Sequence, residues 1–507
     1  MNHLVFRIRA LVALIVCNLL AIVAPGTATA QEKSEFPHMG PQESGDYKKV
    51  VLLSDELDEN GKRIDTLVDP MEIDIAEDGR VFIAERRGTV KAIDPATGKD
   101  SIIGKVEPFT GLEDGLLGLS LHPEFAKNNW LFLYYGEKET KKDEKGKYGF
   151  NRLSRFTLKN GKLDNDSEKV LLEVRSQREQ CCHSGGSVNF DSDGNLFLST
   201  GDNTNPFHDK TQPKHRSGYA PIDERKGRHP WDAQKSAANT NDLRGKVLRI
   251  HPEDDGSYTI PEGNLFEEGT EGARPEIYVM GCRNPFRIGI DSKHNTLYWG
   301  DVGPDAGKYN ASYGPAGFDE VNQAKTAGFF GWPYFVGRNS AYYEYDYVND
   351  KKLERYNAKA PVNNSPNNTG LKELPPAQAA FIYYPHAPSV KFPTVNSAGG
   401  RTAMAGPVYH FDSKNPSPNK LPQSLDNTLF IYEWSRNWII SVKLNPDQSI
   451  QSMTRFCPKM TFKRPMDMEL GPDGSLYLIE FGTNWGNNKD SQIIRIEPKK
   501  AQLSKSE

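Results

Sequence analysis

The sequence predicts an all-β protein, a six-bladed β-propeller with long loop insertions over the central channel. The main observation is a repeated pattern, in which a turn rich in Asp, Asn and Gly is followed by a strand of bulky apolar residues. Six copies occur, at residues 78–84, 129–134, 193–198, 295–300, 427–432 and 473–478. Because one blade cannot bury both of its faces alone, such units stack around an axis, and six copies predict six blades.

Several copies are followed by a second strand that alternates apolar and polar residues, which indicates antiparallel sheets joined by short turns. These strands are at residues 89–93, 246–250, 438–444 and 492–496. The composition agrees with this interpretation, because 44 Gly and 34 Pro in 507 residues are typical of a chain with many turns. It excludes a helical bundle or a disordered chain.

Residues 1–30 have the pattern of a secretory signal peptide. Two arginines form a basic start, residues 10–24 are apolar, and the small residues at 28–30 predict cleavage after Ala30. An uncleaved membrane anchor is the alternative, but the apolar run is shorter than the roughly 20 residues that a span needs. We therefore expect a periplasmic or secreted protein with no membrane span after cleavage.

The remaining chain is predicted to be one propeller, at residues 46–498, between a polar N-terminal segment at 31–45 and a polar tail at 499–507. Two stretches, 206–240 and 336–400, lack strand periodicity. Long insertions in a compact domain are usually functional loops or mobile segments. We expect these two to roof the channel mouth, with surface decoration as the alternative.

The charge pattern argues against nucleic acid as a partner. The 63 Lys and Arg fall to 61 once the two arginines of residues 1–30 are removed, against 67 Asp and Glu, so the net charge is −6. The basic residues are dispersed and form no patch, so we expect no nucleic-acid partner.

The segment at residues 180–186, Gln-Cys-Cys-His-Ser-Gly-Gly, carries the strongest chemical signal. An imidazole titrates near neutral pH and can accept a proton, and glycines let a ligand approach the backbone closely. We therefore interpret His183 as a general base beside a cavity, with a structural turn histidine as the alternative.

Four cysteines remain after cleavage: Cys181, Cys182, Cys282 and Cys457. An exported protein can form disulfides, and four cysteines allow three pairings. A metal site formed by Cys181, Cys182, Cys282 and His183 is another alternative, although adjacent cysteines are poor zinc ligands.

Several short motifs occur in an order that resembles a known family. They lie at residues 115–125, 180–186, 281–285, 303–304, 319–322 and 331–333. Over residues 50–498 the chain resembles the soluble glucose/sorbosone dehydrogenases that depend on pyrroloquinoline quinone (PQQ), also called aldose sugar dehydrogenases. The resemblance implies a six-bladed propeller with cofactor and substrate over the axis, in agreement with the repeats.

The resemblance also implies roles for three residues of the site. His183 matches the general base that takes the sugar hydroxyl proton as hydride leaves for the quinone. Arg283 and Asn284 match residues that contact the quinone and its carboxylates, for which a planar guanidinium is well suited. The alternative for Arg283 is a salt bridge to a neighbouring blade.

Calcium is the second cofactor that the resemblance implies. Val302, Gly303 and Pro304 match a stretch whose backbone carbonyls hold Ca²⁺, which prefers hard oxygen ligands. Asp319 and Glu320 match a second, structural Ca²⁺ region, with an exposed acidic turn as their alternative.

The chain also departs from the family pattern around the cofactor. Glu113 stands where the glucose enzymes have Gln, and Ser435, followed by Arg436, aligns with a cofactor-binding Lys. Arg464 and Met466 align with a pair of arginines. Fewer cations should weaken the binding of a trianion. We expect Glu113, Arg436 and Arg464 to contact the cofactor, and Arg401 or Lys463 are further sources of positive charge.

The cysteines have a special place in this comparison, because Cys182 replaces an Asp of the glucose enzymes. If His183 and Arg283 both face the axis, Cys181 or Cys182 lies within disulfide reach of Cys282. A vicinal disulfide between Cys181 and Cys182 is the alternative.

The prediction that follows is a PQQ- and Ca²⁺-dependent dehydrogenase that oxidises an aldose sugar or a related alcohol. We expect no haem domain, so electrons would pass to a separate acceptor. One alternative is a non-catalytic propeller that binds carbohydrate or protein and has a degenerate PQQ site. Another is an enzyme with a different cofactor in the same funnel.

Overall fold

The computed structural model describes residues 46–64, 66–207, 209, 218–395 and 397–499. The predicted signal peptide at 1–30, the segment at 31–45 and residues 500–507 of the predicted tail lie outside these ranges. Within them, no helix has the length and apolar character needed to cross a membrane. The α-helical content there is one turn, α1 (Phe125–Asn128).

The strands form six main sheets, which are antiparallel except for one short parallel pair. The first strand is β1 (Tyr47–Ser54). Blade 1 contains β2 (Pro70–Ile75), β3 (Val81–Glu85), β4 (Thr89–Ile93) and β5 (Asp100–Lys105). Blade 2 contains β6 (Leu116–Leu121), β7 (Trp130–Gly136), β8 (Lys141–Asp143), β9 (Gly146–Lys159) and β10 (Lys162–Gln177). Blade 3 contains β11 (Gly185–Phe190), β12 (Leu196–Thr200), β13 (Lys246–Pro252), β14 (Tyr258–Thr259) and β15 (Ile277–Met280).

The second half of the chain forms the other three blades. Blade 4 begins with β16 (Pro285–Asp291), β17 (Thr296–Asp301) and β18 (Asp319–Ala324). Blade 4 ends with β24 (Ile382–Tyr384). Between β18 and β24 lie β19 (Gly328–Phe329), which pairs with β15 of blade 3, and two separate hairpins, β20 (Phe335–Val336) with β21 (Ser340–Ala341) and β22 (Tyr343–Asp346) with β23 (Lys351–Arg355). Blade 5 contains β25 (Ala403–Tyr409), β26 (Thr428–Glu433), β27 (Trp438–Leu444) and β28 (Ile450–Phe456). Blade 6 contains β29 (Pro465–Leu470), β30 (Leu476–Glu480) and β31 (Gln492–Pro498).

The ring closes through its first and last strands. Strand β1 pairs antiparallel with β31, with Tyr47 opposite Pro498, so the N-terminal strand completes blade 6. The six inner strands, β2, β6, β11, β16, β25 and β29, each pack against the inner strands of both neighbouring blades. The predicted six-bladed β-propeller is therefore confirmed.

The six repeated sequence copies are the turn and second strand of each blade. The residue at each turn has a positive φ, which glycine and asparagine adopt more readily than other residues. These residues are Gly79, Asn129, Gly194, Asn295, Asn427 and Gly474. The strands that follow are almost entirely buried between the faces of adjacent blades, which is why they consist of bulky apolar residues.

A buried arginine links three blades across the axis. Arg287, on β16 of blade 4, is fully buried, and its guanidinium donates to the carbonyl oxygens of Met71 in blade 1 and Met466 in blade 6. Its Nε also lies 3.3 Å from Oδ1 of Asp467. The centre of the propeller is thus held by charge-assisted hydrogen bonds as well as by apolar packing.

The two long insertions pack on each other. Tyr342 and Tyr347 of the later insertion, with Trp332 just before it, form an apolar cluster with Ala220 and Ile222 of the earlier insertion. Residues of both insertions, among them Pro206, Gly218 and Tyr347, surround a small pocket next to His183. The described parts of these insertions therefore cover one side of the channel mouth.

Candidate active site

A cleft of about 470 Å³ lies over the axis, at the end of the propeller where the inner strands begin. Its size is within the range of small-molecule sites. Every blade contributes to its wall, through Met71, Glu113, His183, Arg283, Thr402 and Met466. A ligand in this cleft would therefore contact residues that are far apart in sequence.

Hydrogen bonds of its backbone hold His183 in the wall of the cleft. It is 5% exposed and has a φ of 65°, which is uncommon for a residue other than glycine. Its N–H donates to Oε2 of Glu113 at 2.9 Å, and its carbonyl accepts from the N–H of Asn203 at 3.2 Å. Glu113, predicted to contact the cofactor, thus lines the cleft and also fixes the backbone of His183.

A buried carboxylate orients the imidazole. Nδ1 of His183 lies 2.7 Å from Oδ1 of Asp202, and Oδ2 of Asp202 accepts from Nε1 of Trp332 at 2.7 Å. Burial would raise the pKa of Asp202, but the adjacent His183, with help from Arg283, holds it below its ordinary value. The ionised carboxylate assigns the proton to Nδ1, which leaves Nε2 as the basic nitrogen.

The close approach of Gly201 to His183 gives a direct test of this geometry. A Cβ at Gly201 would collide with the carbonyl group of His183. We expect Gly201→Ala to displace the imidazole and to lower any activity that depends on it by roughly 100-fold, as small misplacements of a catalytic group do. Gly486→Ala is the matched control, because Gly486 also lines the cleft but a Cβ there meets nothing within 4 Å. Equal activity in the two variants would contradict the proposed role of the His183 position.

Arg283 and Asn284 are anchored from below by one carboxylate. Their backbone N–H groups donate to Asp301, at 3.0 and 2.7 Å, and burial raises the pKa of Asp301 to about 7. Oδ1 of Asn284 accepts from the N–H of Gly185 at 3.0 Å, next to the His183 segment. Both predicted residues therefore line the cleft beside His183.

The carbonyls predicted to bind calcium are in contact with guanidinium groups. The carbonyl of Val302 accepts from Arg283 at 2.7 Å, and that of Pro304 accepts from Arg401 at 2.7 Å. The N–H of Gly303, between them, donates to Asp319 at 3.1 Å. A dication would be repelled by two guanidinium groups at these oxygens, so this arrangement does not fit Ca²⁺.

Asp319 and Glu320 are buried in β18 and do not form an exposed acidic turn. Oδ2 of Asp319 accepts from the N–H of Ala403 at 2.9 Å, and Nε of Arg401 lies 3.5 Å from its Oδ1. Oε1 of Glu320 accepts from the N–H of Gly337 at 2.6 Å, and burial together with the nearby Asp301 raises its pKa to about 8. Both carboxyl groups thus interact with neighbouring strands and loops of the propeller.

The remaining predicted cations lie outside the lining of the cleft. Arg436 donates to the backbone carbonyls of Gly400 and Pro385, at 2.8 and 2.9 Å. Arg464 stacks on the ring of Trp434, with its guanidinium carbon 4.3 Å from the ring centre. The arginines that do line the cleft are Arg86, Arg283 and Arg401. The positively charged side chains of this site therefore come from blades 1, 4 and 5.

Of the two predicted disulfide arrangements, the structure contains the vicinal one. Cys181 and Cys182 form a vicinal disulfide, and Cys182 lines the cleft. Cys282 and Cys457 are buried free thiols, so the predicted pairing with Cys282 is wrong. Cys282 instead packs with Trp299 and Ile288 in an apolar cluster between blades 3 and 4. The four-residue metal site is excluded for the same reason, because disulfide sulfurs are not thiolate ligands.

The comparisons with known proteins identify the family. The sequence model of the family described as glucose/sorbosone dehydrogenase matches residues 67–391, which is more than half of the chain. The chain belongs to the glucose/sorbosone dehydrogenase family. The resemblance inferred from the motifs is thereby confirmed, and the propeller is a sugar dehydrogenase fold.

The proteins similar to this chain include both named enzymes and a protein named for a binding partner. Quinoprotein glucose dehydrogenase B of Acinetobacter calcoaceticus is 22% identical over 448 residues, covering 82% of this chain and 84% of that protein. The human Hedgehog-interacting protein is 28% identical over 239 residues, covering 43% of this chain and 29% of that protein. The solved apo structure of the soluble aldose sugar dehydrogenase of Escherichia coli has a TM-score of 0.55 at 19% identity, over 89% of this chain and 100% of that chain. That last similarity is one of fold.

Two residues of the site, Asp202 and Trp332, were not predicted from the sequence to be functional. Asp202 lies two residues after β12, at the end of the repeat that follows His183, and Trp332 lies in the motif at 331–333. Their positions in these motifs were the available signal. Asp202 meets His183 because β11 and β12 of blade 3 pair, with Gly185 opposite Thr200. Trp332, in contrast, reaches Asp202 from a loop far along the chain, which the local pattern does not indicate.

Proposed function

We propose that this family member is an exported PQQ-dependent dehydrogenase that oxidises an aldose sugar or a related alcohol, with His183 as the general base. The observation that carries the proposal is the buried His183–Asp202 pair in the wall of the axial cleft. Cleavage after Ala30 and transfer of electrons to a separate acceptor belong to the proposal and rest on the sequence pattern. A non-catalytic pocket has no evident need for an imidazole that a buried carboxylate orients.

The proton chemistry follows from the hydrogen bonds of this pair. Nε2 of His183 accepts the proton of the substrate hydroxyl, and the imidazole becomes a cation. The carboxylate of Asp202 stabilises that cation at 2.7 Å and keeps the ring in one orientation, with Trp332 fixing the carboxylate in turn. PQQ, when bound, supplies the quinone that accepts hydride from the sugar carbon.

The cleft has groups that suit a flat tricarboxylate. Arg86, Arg283 and Arg401 line the cleft and bring positive charge to it, and each also donates to a backbone carbonyl, so pairing with a carboxylate would use their remaining N–H groups. Phe286 and Trp434 supply apolar ring surface in the wall. These residues would hold PQQ, whereas the guanidinium groups at the Val302 and Pro304 carbonyls do not fit calcium, and no step of the proposal uses that ion.

The rim of the cleft also suits a sugar or a small alcohol. Trp485 and Phe207 line the cleft and are 76% and 59% exposed. Exposed aromatic rings beside a polar cavity offer apolar surface together with hydrogen-bonding groups, as is typical of sites for small polar ligands.

The proposal is tested by titrating the purified protein with PQQ, in calcium and in EGTA, and following tryptophan fluorescence. We expect quenching in both conditions, because Trp434 and Trp485 line the cleft. We expect His183→Ala to bind PQQ normally but to lose turnover with an aldose panel and an artificial electron acceptor by roughly 100- to 10,000-fold. His251→Ala, on β13 away from the cleft, is the control and should retain turnover. Full turnover in His183→Ala would remove His183 as the base.

A non-catalytic propeller that binds carbohydrate or protein is the second candidate. It is favoured by the contacts of Val302 and Pro304 with guanidinium groups, and by the positions of Arg436 and Arg464 outside the lining of the cleft. The same titration separates the two functions. Absence of PQQ binding, together with binding of sugars without turnover, would support this second candidate.

A further inference from the structure

Three side chains of types that can ligate a metal ion, Asp291, His294 and His410, form a cluster at the face of the propeller opposite the cleft. Asp291 ends β16, and His410 directly follows β25, the inner strands of blades 4 and 5. Arg283 and Arg401, which line the cleft, precede the first residues of the same two strands. At about 3.3 Å per residue, a seven-residue strand places the cluster roughly 20 Å from the cleft.

The cluster joins the two blades through one carboxylate. Oδ2 of Asp291 lies 2.8 Å from Nδ1 of His294, and its Oδ1 lies 2.8 Å from Nε2 of His410. One ligand atom from each residue lies within 4.8 Å of the other two. Asp291 is buried, whereas the side chains of His294 and His410 are 26% and 23% exposed, so water and ions can reach the imidazoles.

The far side of His410 carries an independent indication of a ligand. Its Nδ1 is buried and has no hydrogen-bond partner, although it lies 3.9 Å from Oδ1 of Asp426. In the neutral imidazole with Nε2 protonated and donating to Asp291, Nδ1 carries only a lone pair and cannot donate to Asp426. With Nε2 bound to a metal ion, the proton would sit on Nδ1 and face Asp426. Histidine ligands of metals commonly donate their second N–H to a carboxylate in this way.

We propose that Asp291, His294 and His410 bind a divalent transition-metal ion, of which Zn²⁺ is the representative, and that this ion links blade 4 to blade 5. Two imidazoles and one carboxylate are typical ligands of Zn²⁺, whereas Ca²⁺ selects oxygen ligands. The exposed edge of the cluster leaves a fourth position for water. The site is distinct from the axial cleft, so the proposal does not depend on PQQ or on sugar oxidation.

The test is a calorimetric titration of the chelator-treated, full-length protein with ZnSO₄, with thermal unfolding measured in parallel. We expect one Zn²⁺ per chain with a micromolar or tighter Kd, and a rise in Tm, because a ligand that binds only the folded state stabilises it. His294→Ala and His410→Ala should each weaken Zn²⁺ binding at least 100-fold. Asp426→Asn should weaken it roughly 10- to 100-fold, since it alters the partner of a ligand.

Two variants serve as controls for histidine content and for the other site. His251→Ala and His183→Ala should bind Zn²⁺ as the unmodified protein does. Co²⁺ in place of Zn²⁺ should give visible absorption bands that these two controls keep and that the His294 and His410 variants lose. Asp291→Asn keeps the shape of the side chain and covers the case in which an alanine variant fails to fold. Unchanged Zn²⁺ stoichiometry and affinity in the His294 and His410 variants would overturn the proposal. The proposal would also be overturned if those variants had a lower Tm while the unmodified protein showed no response to Zn²⁺. The cluster would then stabilise the two blades through its hydrogen bonds alone.

Discussion

Asp202→Asn is expected to lower kcat for aldose oxidation by roughly 1,000- to 10,000-fold, while PQQ binding stays within a few-fold of normal. Both oxygens of Asp202 accept hydrogen bonds, Oδ1 from His183 and the Thr204 N–H and Oδ2 from Trp332. An asparagine amide would therefore place a donor against a donor in either orientation. It would also remove the negative charge that stabilises the protonated imidazole.

The measurement is steady-state turnover of the PQQ-loaded variant, with fluorescence titration to confirm that the cofactor binds. Asp305→Asn is the matched control, because Asp305 lines the cleft but its side chain is 64% exposed and lies 3.8 Å from Arg283. We expect that control to change kcat only a few-fold, as exposed ion pairs contribute little. A near-normal kcat in Asp202→Asn would show that the carboxylate has no part in the proton transfer.

Arg287→Met is expected to lower the free energy of unfolding by about 3–5 kcal/mol. The side chain is fully buried, and its removal leaves Asp467 without its cation and the carbonyls of Met71 and Met466 without their donor. A methionine of similar length fills the space but cannot donate, so the cost comes from unpaired buried polar groups and not from a cavity.

Urea unfolding followed by circular dichroism measures this effect. Arg87→Met is the control, because the side chain of Arg87 is 60% exposed and lies 3.8 Å from Asp69. We expect the control to cost less than about 1 kcal/mol. If the two variants lost the same stability, the axial arginine would not be the link between blades 1, 4 and 6 that the structure indicates.

The blade repeats could be predicted from sequence because their causes are local. A turn residue with positive φ selects glycine or asparagine, as at Gly194 and Asn295, and a strand buried on both faces selects bulky apolar residues. These two constraints act within about seven residues and recur once per blade. The count of blades follows directly from the count of such turns.

The candidate site was harder to predict, because several of its contacts join segments that are far apart in the sequence, such as Glu113 with His183 and Trp332 with Asp202. The segment around His183 indicated an imidazole near a cavity, but the contact with Asp202 and Trp332 forms only when separate strands and loops meet. Alignment placed Arg436 near the cofactor, whereas its guanidinium instead donates to the backbone carbonyl of Gly400. The direction of a long side chain depends on its packing, which a linear pattern does not specify.

The calcium prediction illustrates the same difficulty. The motif at 302–304 indicates carbonyl groups but not their neighbours. The guanidinium groups that contact these carbonyls come from Arg283 of blade 4 and Arg401 of blade 5. Whether a backbone carbonyl can bind a cation depends on which charged groups the tertiary fold brings to it.

The most direct test of the proposed function is a single-turnover experiment without oxygen. The protein is loaded with one equivalent of PQQ in EGTA and mixed with an excess of each aldose, and the quinone absorption is followed in a stopped-flow spectrometer. We predict rapid loss of the quinone absorption with at least one aldose, and a rate lower by roughly 100-fold or more in His183→Ala at equal PQQ occupancy. Failure of the protein to bind PQQ, or quinone absorption that persists with every aldose and related alcohol, would contradict the account.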